Sequence, residues 1–412
     1  MGLDVDFVRR QFPAFEDPEL RGWANFENAG GSYVCRQVIE RLDHFYRYVK
    51  VQPGHPFALS RRAYEEVEAG YGRLADWIGV AADELYIGPS TSQNTYVLAR
   101  SFLPLLSDQD EIIVSTQDHE ANAGVWRRLA HEVGTTLREW RVDPDSGHLR
   151  PTDLERLLTD RTRLVVFPHA SNLVAGVNPV VEATERAASV DAHVVVDGVS
   201  YAPHGLPDVG ALGVDVYLFS TYKTWGPHQG AMVVRRELAD RLANQGHYFH
   251  RSSRYKLIPA GSDYAQVAAC SGLVEYLEEI DAHHFGSSPS GVNPTDANRR
   301  VRGLFRQHEQ NLLAPLLDYL AGREDVRLLG LADPRARVST VSILPLRREL
   351  SEAAASLAED RMMVGIGDFY APRLLDEMGI PTDPGVLRIS FIHYNRFEEI
   401  ERLIEALERA LG

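Results

Sequence analysis

The amino-acid sequence predicts an α/β fold, in which a seven-stranded, mostly parallel sheet flanked by helices is followed by a smaller C-terminal α/β unit. Seven apolar or alternating runs of strand length are separated, for the most part, by helical or loop stretches, and this alternation is typical of a parallel sheet with helices on both faces. After a long helical pattern from Asn298 to Ala321, strand-like runs alternate with helices again. That second region has about 120 residues, a size typical of a domain.

The predicted elements follow in chain order. The N-terminal run DVDFVRRQF has a helical pattern, and amphipathic helices are expected from about Gln37 to Val49 and from Arg61 to Ile78. The strands predicted for the large sheet are ELYIG, DEIIVST, TLREWRV, RLVVFPH, HVVVD, VDVYLFS and GAMVVRR. Those predicted for the C-terminal unit are VRLLG, ARVSTVSILP, MMVGIGD and VLRISFIHY, with helices starting near Glu349, Pro372 and Phe397.

This pattern predicts a division of the chain into three parts. We expect residues 1–30 to be an N-terminal segment that packs on the small domain, residues 31–290 to form the large domain and residues 291–412 the small C-terminal domain. The Gly/Ser/Pro-rich stretch from His284 to Thr295 is predicted to be a flexible loop that serves as a lid or a domain joint.

The composition limits the classes of function. The chain has 412 residues, of which 44% are hydrophobic and 25% charged, as is usual for a globular enzyme. Its formal net charge of -15 and the lack of a basic run argue against a nucleic-acid surface. No stretch resembles a membrane span, a signal peptide or a zinc-ligand motif. Only Cys35 and Cys270 are present, too few for a disulfide framework, so we expect a cytoplasmic protein.

An acid and a lysine follow two successive predicted strands. Asp197 ends HVVVD, and Lys223 follows VDVYLFS. Taken singly, such a lysine is usually a solvated loop residue and such an aspartate is often a helix cap. Together, at the carboxyl ends of strands where ligands bind, they are what a pyridoxal phosphate (PLP) enzyme needs. The amine forms the Schiff base that holds the cofactor, and the carboxylate keeps the pyridine nitrogen protonated.

The stretch around these two residues reads DGVSYAPHGLPDVGALGVDVYLFSTYKTWGPHQGAMVV. This stretch resembles the class V aminotransferase and cysteine desulfurase group of fold-type I PLP enzymes. The shared features, in order, are the Asp, a loop containing Pro-His, a DV dipeptide, the sequence YLFS, the Lys and a Gly-Pro pair. The similarity recurs in order from about Asn28 to Asn395. The resemblance implies the fold-type I architecture, with the large domain binding PLP, and an α-amino acid as substrate.

The resemblance also assigns cofactor contacts. Thr91 and Ser92 lie in a hydroxyl-rich turn at a helix start, where the helix dipole favours phosphate. His119 matches the histidine that stacks on the pyridine ring, and it can take part in proton transfer beside Lys223 and Asp197. Asn172, in HASNLVAGVNP, matches the asparagine that donates to the phenolate oxygen of the ring. The remaining predicted contacts are Ser200, Ser220, Tyr222 and Ser262.

Two of these positions depart from the family pattern. The family commonly has glutamine where this chain has Ser200 and histidine where it has Tyr222, so the hydrogen bonds to the phenolate oxygen and the phosphate must differ in detail. Ser220 remains where the family binds phosphate. Ser262 occupies the place that, in dimeric members, reaches the phosphate of the neighbouring subunit, so we expect a homodimer with shared active sites.

Substrate contacts follow from the same resemblance. Arg388 matches the arginine that grips the substrate carboxylate in a planar, bidentate pair. The turn FENAGGS places Asn28, Ala29 and Gly30 near the substrate, although a plain turn is the alternative. Asp368 and Tyr370 belong to the loop that carries the persulfide cysteine in cysteine desulfurases. We expect both to face the substrate, with Asp368 favouring a basic or hydroxylated side chain; the alternative is a loop cap. No role is assigned to His55.

The absence of a thiol from the expected loop limits which reactions the protein can catalyse. Persulfide formation needs a thiolate near the substrate sulfur, and neither Cys35 nor Cys270 occupies the expected loop. What remains is deprotonation of Cα by the freed Lys223 amine and stabilisation of the carbanion. We favour a desulfurase-like lyase that eliminates a β-substituent, including cleavage of a C–S bond, without a persulfide cysteine. Transamination or epimerisation is the alternative, and a non-catalytic PLP-fold scaffold is a third hypothesis.

Overall fold

The structure is a computed structural model of the chain, and it describes residues 2–250, 254–259, 261–286 and 293–412. Residues 287–292 of the predicted domain joint lie outside these ranges, as does the predicted boundary between residues 290 and 291.

The described residues form helices and strands in the predicted alternation. The helices are α1 Val5–Arg9, α2 Arg36–His44, α3 Ala58–Trp77, α4 Thr91–Ser101, α5 Glu120–Val133, α6 Pro151–Leu157, α7 Val180–Ala188, α8 Arg236–Arg241, α9 Tyr264–Phe285, α10 Pro294–Ala321, α11 Leu350–Glu359, α12 Pro372–Glu377 and α13 Phe397–Leu411. The strands are β1 Ala24–Asn25, β2 Leu85–Gly88, β3 Glu111–Ser115, β4 Thr136–Trp140, β5 Thr162–Pro168, β6 His193–Asp197, β7 Val216–Ser220, β8 Gly230–Val234, β9 Val326–Leu328, β10 Thr340–Pro345, β11 Met362–Met363, β12 Gly365–Gly367 and β13 Val386–Ser390.

The large sheet has seven strands in the order β2-β8-β7-β6-β5-β3-β4. Strand β8 runs antiparallel to both of its neighbours, and the pairs from β7 to β4 are parallel. Strands β5, β6 and β7 are almost wholly buried, which explains their continuous apolar sequences, because helices cover both faces of such a sheet. The predicted seven-stranded, mostly parallel sheet is confirmed.

The C-terminal region forms a four-stranded antiparallel sheet in the order β12-β13-β10-β9. Apolar residues of α10, α11 and α13 pack with this sheet in a hydrophobic cluster of their own. The prediction of a single strand for MMVGIGD is wrong. Its first part, β11, pairs in parallel with the N-terminal strand β1, whereas β12 pairs with β13, because residues 24–25 supply a separate partner for β11.

This topology places the candidate site residues at one edge. Strands β3, β5, β6 and β7 are parallel, so their carboxyl ends meet where ligands bind in such sheets. Asp197 is the last residue of β6, and His119, Asn172 and Lys223 lie in the segments that follow β3, β5 and β7, respectively. Among the described residues, no helix combines the length and the apolarity needed to cross a membrane.

Candidate active site

An inner cavity of about 70 Å³ lies at the carboxyl ends of the parallel strands. Nine of the predicted cofactor contacts line it, namely Thr91, Ser92, His119, Asn172, Asp197, Ser200, Ser220, Tyr222 and Lys223. The structure therefore brings together residues that are more than 130 positions apart in the chain. Ser262, the remaining predicted contact, does not line this cavity.

Asp197 is a buried acid in the wall of the inner cavity. One carboxylate oxygen, Oδ1, accepts a hydrogen bond of 2.8 Å from the backbone N–H of Val199. Burial raises the pKa of Asp197, and burial together with the charge of Asp197 raises the pKa of the neighbouring Asp118 well above its ordinary value. A cation in the cavity would offset this cost of burial, and a protonated pyridine nitrogen is such a cation.

The amine of Lys223 also lies in this cavity. Burial, followed by the positive charge of Arg388, lowers the pKa of Lys223 to about 8, although Asp197 and Glu27 act in the opposite direction. A pKa near 8 leaves an appreciable fraction of neutral amine near neutral pH. Neutral amine is the form that attacks a carbonyl carbon and accepts a proton.

Thr91 and Ser92 form the first turn of α4, next to Ser220 at the end of β7. The hydroxyls of Thr91 and Ser220 are hydrogen-bonded at 2.8 Å. Gly230 allows this close approach, because a Cβ at that position would lie 2.3 Å from the backbone nitrogen of Thr91. Free N–H groups at the start of an eleven-residue helix, together with two hydroxyls, suit a phosphate group.

His119 is the N-cap residue of α5, and its Nδ1 accepts a hydrogen bond of 3.0 Å from the N–H of Ala121. Burial, followed by the positive charges of Lys223 and Arg388, lowers the pKa of His119 to about 4. The ring is therefore neutral near pH 7 and carries its proton on Nε2. His119 is thus a flat, uncharged ring with one N–H available in the cavity.

Asn172 connects the inner cavity to the loop of residues 368–370. Its Nδ2 donates to the carbonyl oxygen of Phe369 at 2.8 Å, whereas its Oδ1 is buried without a hydrogen-bond partner. Such an orphaned polar atom at a cavity wall is typical of a site that a ligand completes. With the acid, the amine and the hydroxyls at a helix start, it forms a set of donors and acceptors that fits PLP.

An outer cavity of about 610 Å³ adjoins the inner one and shares Lys223, His119 and Asn172 with it. The predicted substrate residues Ala29, Gly30, Tyr370 and Arg388 line this outer cavity.

Two predicted substrate residues do not line the outer cavity. Asn28 is buried and donates from Nδ2 to the carbonyl oxygens of Asn25 and Ser390. Asp368 accepts a hydrogen bond of 3.0 Å from the N–H of Tyr370, which agrees with the alternative of a loop cap.

Sequence reasoning missed Glu27, which lines the outer cavity. Its Oε1 lies 2.6 Å from Nη2 of Arg388, and the ring of Phe369 lies 3.7 Å from the same guanidinium. The other oxygen of Glu27 is buried without a partner. The acid was visible in FENAGGS, but the pairing with Arg388 depends on how residues 26–29 attach to Ser390 at the end of β13.

Ser262 and His55 lie outside both cavities. The hydroxyl of Ser262 is hydrogen-bonded at 3.0 Å to that of Tyr71, and its role at a neighbouring subunit stays a prediction. His55 is exposed and stacks on Phe57.

Comparisons with known proteins agree with this site. The family model for Aminotransferase class-V matches residues 24–285 and 304–403. The aminotransferase-like protein FGM3 of Gibberella zeae is 32% identical over 422 residues, covering 99% of this chain and 99% of that protein. The cysteine desulfurase-like protein ustD of Aspergillus flavus is 31% identical, covering 98% of this chain and 90% of that protein.

The apo structure of a cysteine desulfurase from Thermococcus onnurineus NA1 has the same fold. It superposes with a TM-score of 0.87 and 22% identity, covering 100% of this chain and 98% of that one. The expected fold-type I architecture is thereby confirmed. Because the family model matches most of the chain and a relative matches it almost end to end, this chain belongs to the class V aminotransferase family and is a PLP-dependent enzyme.

Proposed function

We propose that the protein acts on an α-amino acid and expels a substituent from its β-carbon, including cleavage of a C–S bond, without a persulfide cysteine. The observation that carries this proposal is the composition of the two cavities, in which no thiol is found among the described residues. Cys35 and Cys270 are fully buried elsewhere, and burial raises the pKa of each thiol to about 12. Neither supplies a thiolate near a substrate.

Each residue of the site has a separate role in the proposed reaction. Arg388 binds the substrate carboxylate, and Lys223 holds the cofactor and then removes the proton from Cα. Asp197 keeps a proton on the pyridine nitrogen. Thr91, Ser92 and Ser220 hold the phosphate. Bound PLP supplies an electron sink that stabilises the carbanion at Cα.

The charges in the site support these roles. The pKa of about 8 at Lys223 gives an amine that is partly neutral and therefore able to accept the Cα proton. His119 is neutral, because its pKa is about 4, and its Nε2–H can donate a hydrogen bond that stabilises negative charge on the departing group. A base and a separate hydrogen-bond donor facing one cavity suit an elimination, which removes a proton from one carbon and a leaving group from the next.

Transamination is the second candidate. The relative FGM3 is described as aminotransferase-like, and the residues named above serve that reaction equally. The two reactions differ in where the electrons of the carbanion go. Transamination would leave the amino group of the substrate on the cofactor, whereas elimination would release the leaving group, ammonia and a keto acid. Epimerisation returns the proton to Cα.

A substrate panel separates these reactions. The purified protein, loaded with PLP, is mixed in turn with each common amino acid, with cysteine and with S-substituted cysteines, while the visible absorbance and the release of keto acid, ammonia and thiol are followed. We expect keto acid and thiol in equal amounts with the cofactor band retained. Conversion of the cofactor to its amine form without thiol release would establish transamination instead.

Two variants serve as controls for this experiment. Lys223→Ala should lose the borohydride-reducible attachment of the cofactor and nearly all turnover. The double variant Cys35→Ala/Cys270→Ala should keep turnover within about twofold, because both thiols are buried away from the cavities. Loss of turnover in a folded double variant would show that a thiol takes part, contrary to the proposal.

We further propose that the enzyme is a homodimer with shared active sites and that it works in the cytoplasm. An exposed aromatic group on and near α2 and α3, formed by Tyr46, Tyr48, Phe57 and Tyr64, supports a subunit interface. Two buried cysteines that form no disulfide support a reducing compartment. The division into residues 1–30, 31–290 and 291–412 is likewise a proposal, supported by the pairing of β1 with β11 and by the separate C-terminal hydrophobic cluster.

A further inference from the structure

The loop that carries Lys223 is hydrogen-bonded to the N-terminal turn through Ser32. The backbone N–H and the hydroxyl of Ser32 both donate to the carbonyl oxygen of Tyr222, at 3.3 and 3.4 Å. The same hydroxyl oxygen accepts a hydrogen bond of 2.9 Å from the N–H of Trp225. Ser32 therefore binds the chain on both sides of Lys223.

The other side-chain hydrogen bonds of this loop come from within it. Thr221 Oγ1 donates to the carbonyl oxygens of Pro227 and Gln229, and Thr224 Oγ1 donates to that of Ser220. In the part of the chain that the structure describes, Ser32 is the one side chain outside residues 220–230 that hydrogen-bonds to residues 221–226. The hydroxyl of Ser32 is thus a specific link between two distant segments.

Trp225 adopts a backbone conformation that needs such support. Its φ angle is 61°, in the left-handed region that bulky residues rarely adopt. Its N–H is taken by Ser32, and its carbonyl oxygen accepts a hydrogen bond of 3.0 Å from the N–H of Cys35. The buried indole packs edge-on against His393 and Phe305. Strained residues of this kind persist where surrounding contacts over-determine them, and they cluster at functional sites.

The turn that contains Ser32 also contacts the residue proposed to bind substrate. At its other end, Glu27 pairs with Arg388 at 2.6 Å, and the N–H of Ala29 donates to Oγ of Ser390 at 2.8 Å. One short segment therefore contacts both the Arg388 strand and the Lys223 loop. A shift of this segment would move the amine relative to the substrate carboxylate.

We propose that Ser32 is a positioning residue, which fixes the backbone on both sides of Lys223 and so sets where the Lys223 amine lies in the inner cavity. This inference rests on the proposed role of Lys223 as the residue that holds the cofactor, and it is independent of the fate of the carbanion. Ser32 itself lines neither cavity. Its effect is transmitted through the backbone of Tyr222 and Trp225.

The test compares variants of Ser32 in the full-length protein. Ser32→Ala removes the hydroxyl. Ser32→Thr and Ser32→Val have nearly the same shape and differ in the hydroxyl, so this pair separates the hydrogen bond from the packing. Ser107→Ala is the matched control, because the Ser107 hydroxyl donates to Asp110 and accepts from the N–H of Gln109 in a turn that precedes β3, at the opposite edge of the sheet.

Two measurements report on Lys223 without turnover. The first is the pH at which the absorbance of the bound cofactor changes in the loaded enzyme. The second is the rate at which acetic anhydride acetylates Lys223 in the cofactor-free protein, followed by mass spectrometry. We expect Ser32→Ala and Ser32→Val to shift the spectroscopic midpoint and to raise the acetylation rate about threefold or more, because the loop opens more often.

Turnover provides the third measurement. In Ser32→Ala and Ser32→Val we expect kcat to fall about 10-fold to 100-fold with KM changed little, since a displaced base costs rate rather than binding. Ser32→Thr should resemble the native protein in all three measurements. The inference is overturned if the Thr and Val variants behave alike, or if Ser32→Ala matches Ser107→Ala. Loss of folding in both the Ala and Val variants also overturns it, because Ser32 would then serve the fold rather than Lys223.

The proposed function fails in a different way. If Lys223→Ala kept the cofactor band and its sensitivity to borohydride, Lys223 would not hold the cofactor, whatever the Ser32 variants do. If Lys223→Ala loses the band while the Ser32 variants match the control, only the positioning role of Ser32 is disproved.

Discussion

Lys223 lies among charges of opposite sign. The positive charge of Arg388 lowers its pKa, and the negative charges of Asp197 and Glu27 raise it, while burial contributes the largest lowering. The pKa of about 8 is therefore the net result of these opposing effects. Glu27 contributes in two ways, because it is itself negative and because it neutralises Arg388 at 2.6 Å. The ion pair thus limits how strongly Arg388 acts on the amine.

Glu27→Gln should lower the pKa of Lys223 below about 8, because the variant removes a negative charge and leaves the positive charge of Arg388 uncompensated. The pH dependence of acetylation of Lys223 in the cofactor-free protein measures this pKa. Glu120→Gln is the control, since Glu120 also lines the outer cavity but lies 3.5 Å from Arg127. A Lys223 pKa that stays the same or rises in Glu27→Gln would contradict this account.

Individual site residues differ in how far the sequence predicts them. Asp197 and Lys223 are predictable because each follows a continuous apolar strand, and parallel strands bring their carboxyl ends together. The pair of Glu27 and Arg388 is not, because it depends on contacts between segments more than 350 residues apart. Phe369 and Tyr370 have φ angles of 48° and 59°, a conformation that aromatic side chains disfavour. Contacts with Asn172 and Glu120 hold them.

Strands and helices are predictable from the sequence where local pattern and burial agree. HVVVD appears unchanged as β6, because a strand buried on both faces is a continuous apolar run. The helix expected from Gln37 to Val49 continues to its predicted end, but its last residues, Phe45–Val49, form a π-helix, which amphipathic spacing does not reveal. MMVGIGD is divided between two sheets by β1, a partner from the other end of the chain.

The contact between the Asn172 loop and the C-terminal sheet shows how tertiary contacts support a site. Residues 175–177 pair with residues 336–338 through backbone hydrogen bonds. Arg337, the middle residue of the second segment, is fully buried. Its guanidinium donates to the carbonyl oxygens of Leu329, Leu331 and Thr340 at 3.3, 2.8 and 2.7 Å. Burial lowers the pKa of Arg337 to about 10, yet the arginine keeps three carbonyl groups satisfied.

Arg337→Met should reduce the free energy of unfolding by about 2 kcal/mol, because three carbonyls, two of them buried, lose their donor and this loss exceeds the desolvation cost recovered from the arginine. The midpoint of denaturant-induced unfolding measures the change. Arg335→Met is the matched control: its side chain is 83% exposed and lies 3.6 Å from Asp333, so its effect should stay within about 0.5 kcal/mol. Equal midpoints for the two variants would show that Arg337 does not stabilise this contact.

The position of Ser262 bears on how many chains contribute residues to one active site. The inner cavity of the chain is lined by nine predicted cofactor contacts, whereas Ser262 lies outside both cavities and is hydrogen-bonded to Tyr71. If Ser262 reaches the phosphate of a neighbouring subunit, Lys223 and Ser262 of one chain serve different sites. Two damaged chains can then combine to form one undamaged site.

Mixed dimers of Lys223→Ala and Ser262→Ala should therefore be more active than either parent. In a mixed dimer one site receives Lys223 from the Ser262→Ala chain and Ser262 from the Lys223→Ala chain, while the other site lacks both. After equal amounts of the two variants are unfolded and refolded together, random pairing makes half of the dimers mixed, so the mixed dimers should add about a quarter of the native activity to the residual activity of the parents. Activity equal to the mean of the separate variants would place Ser262 in the site of its own chain, or in none.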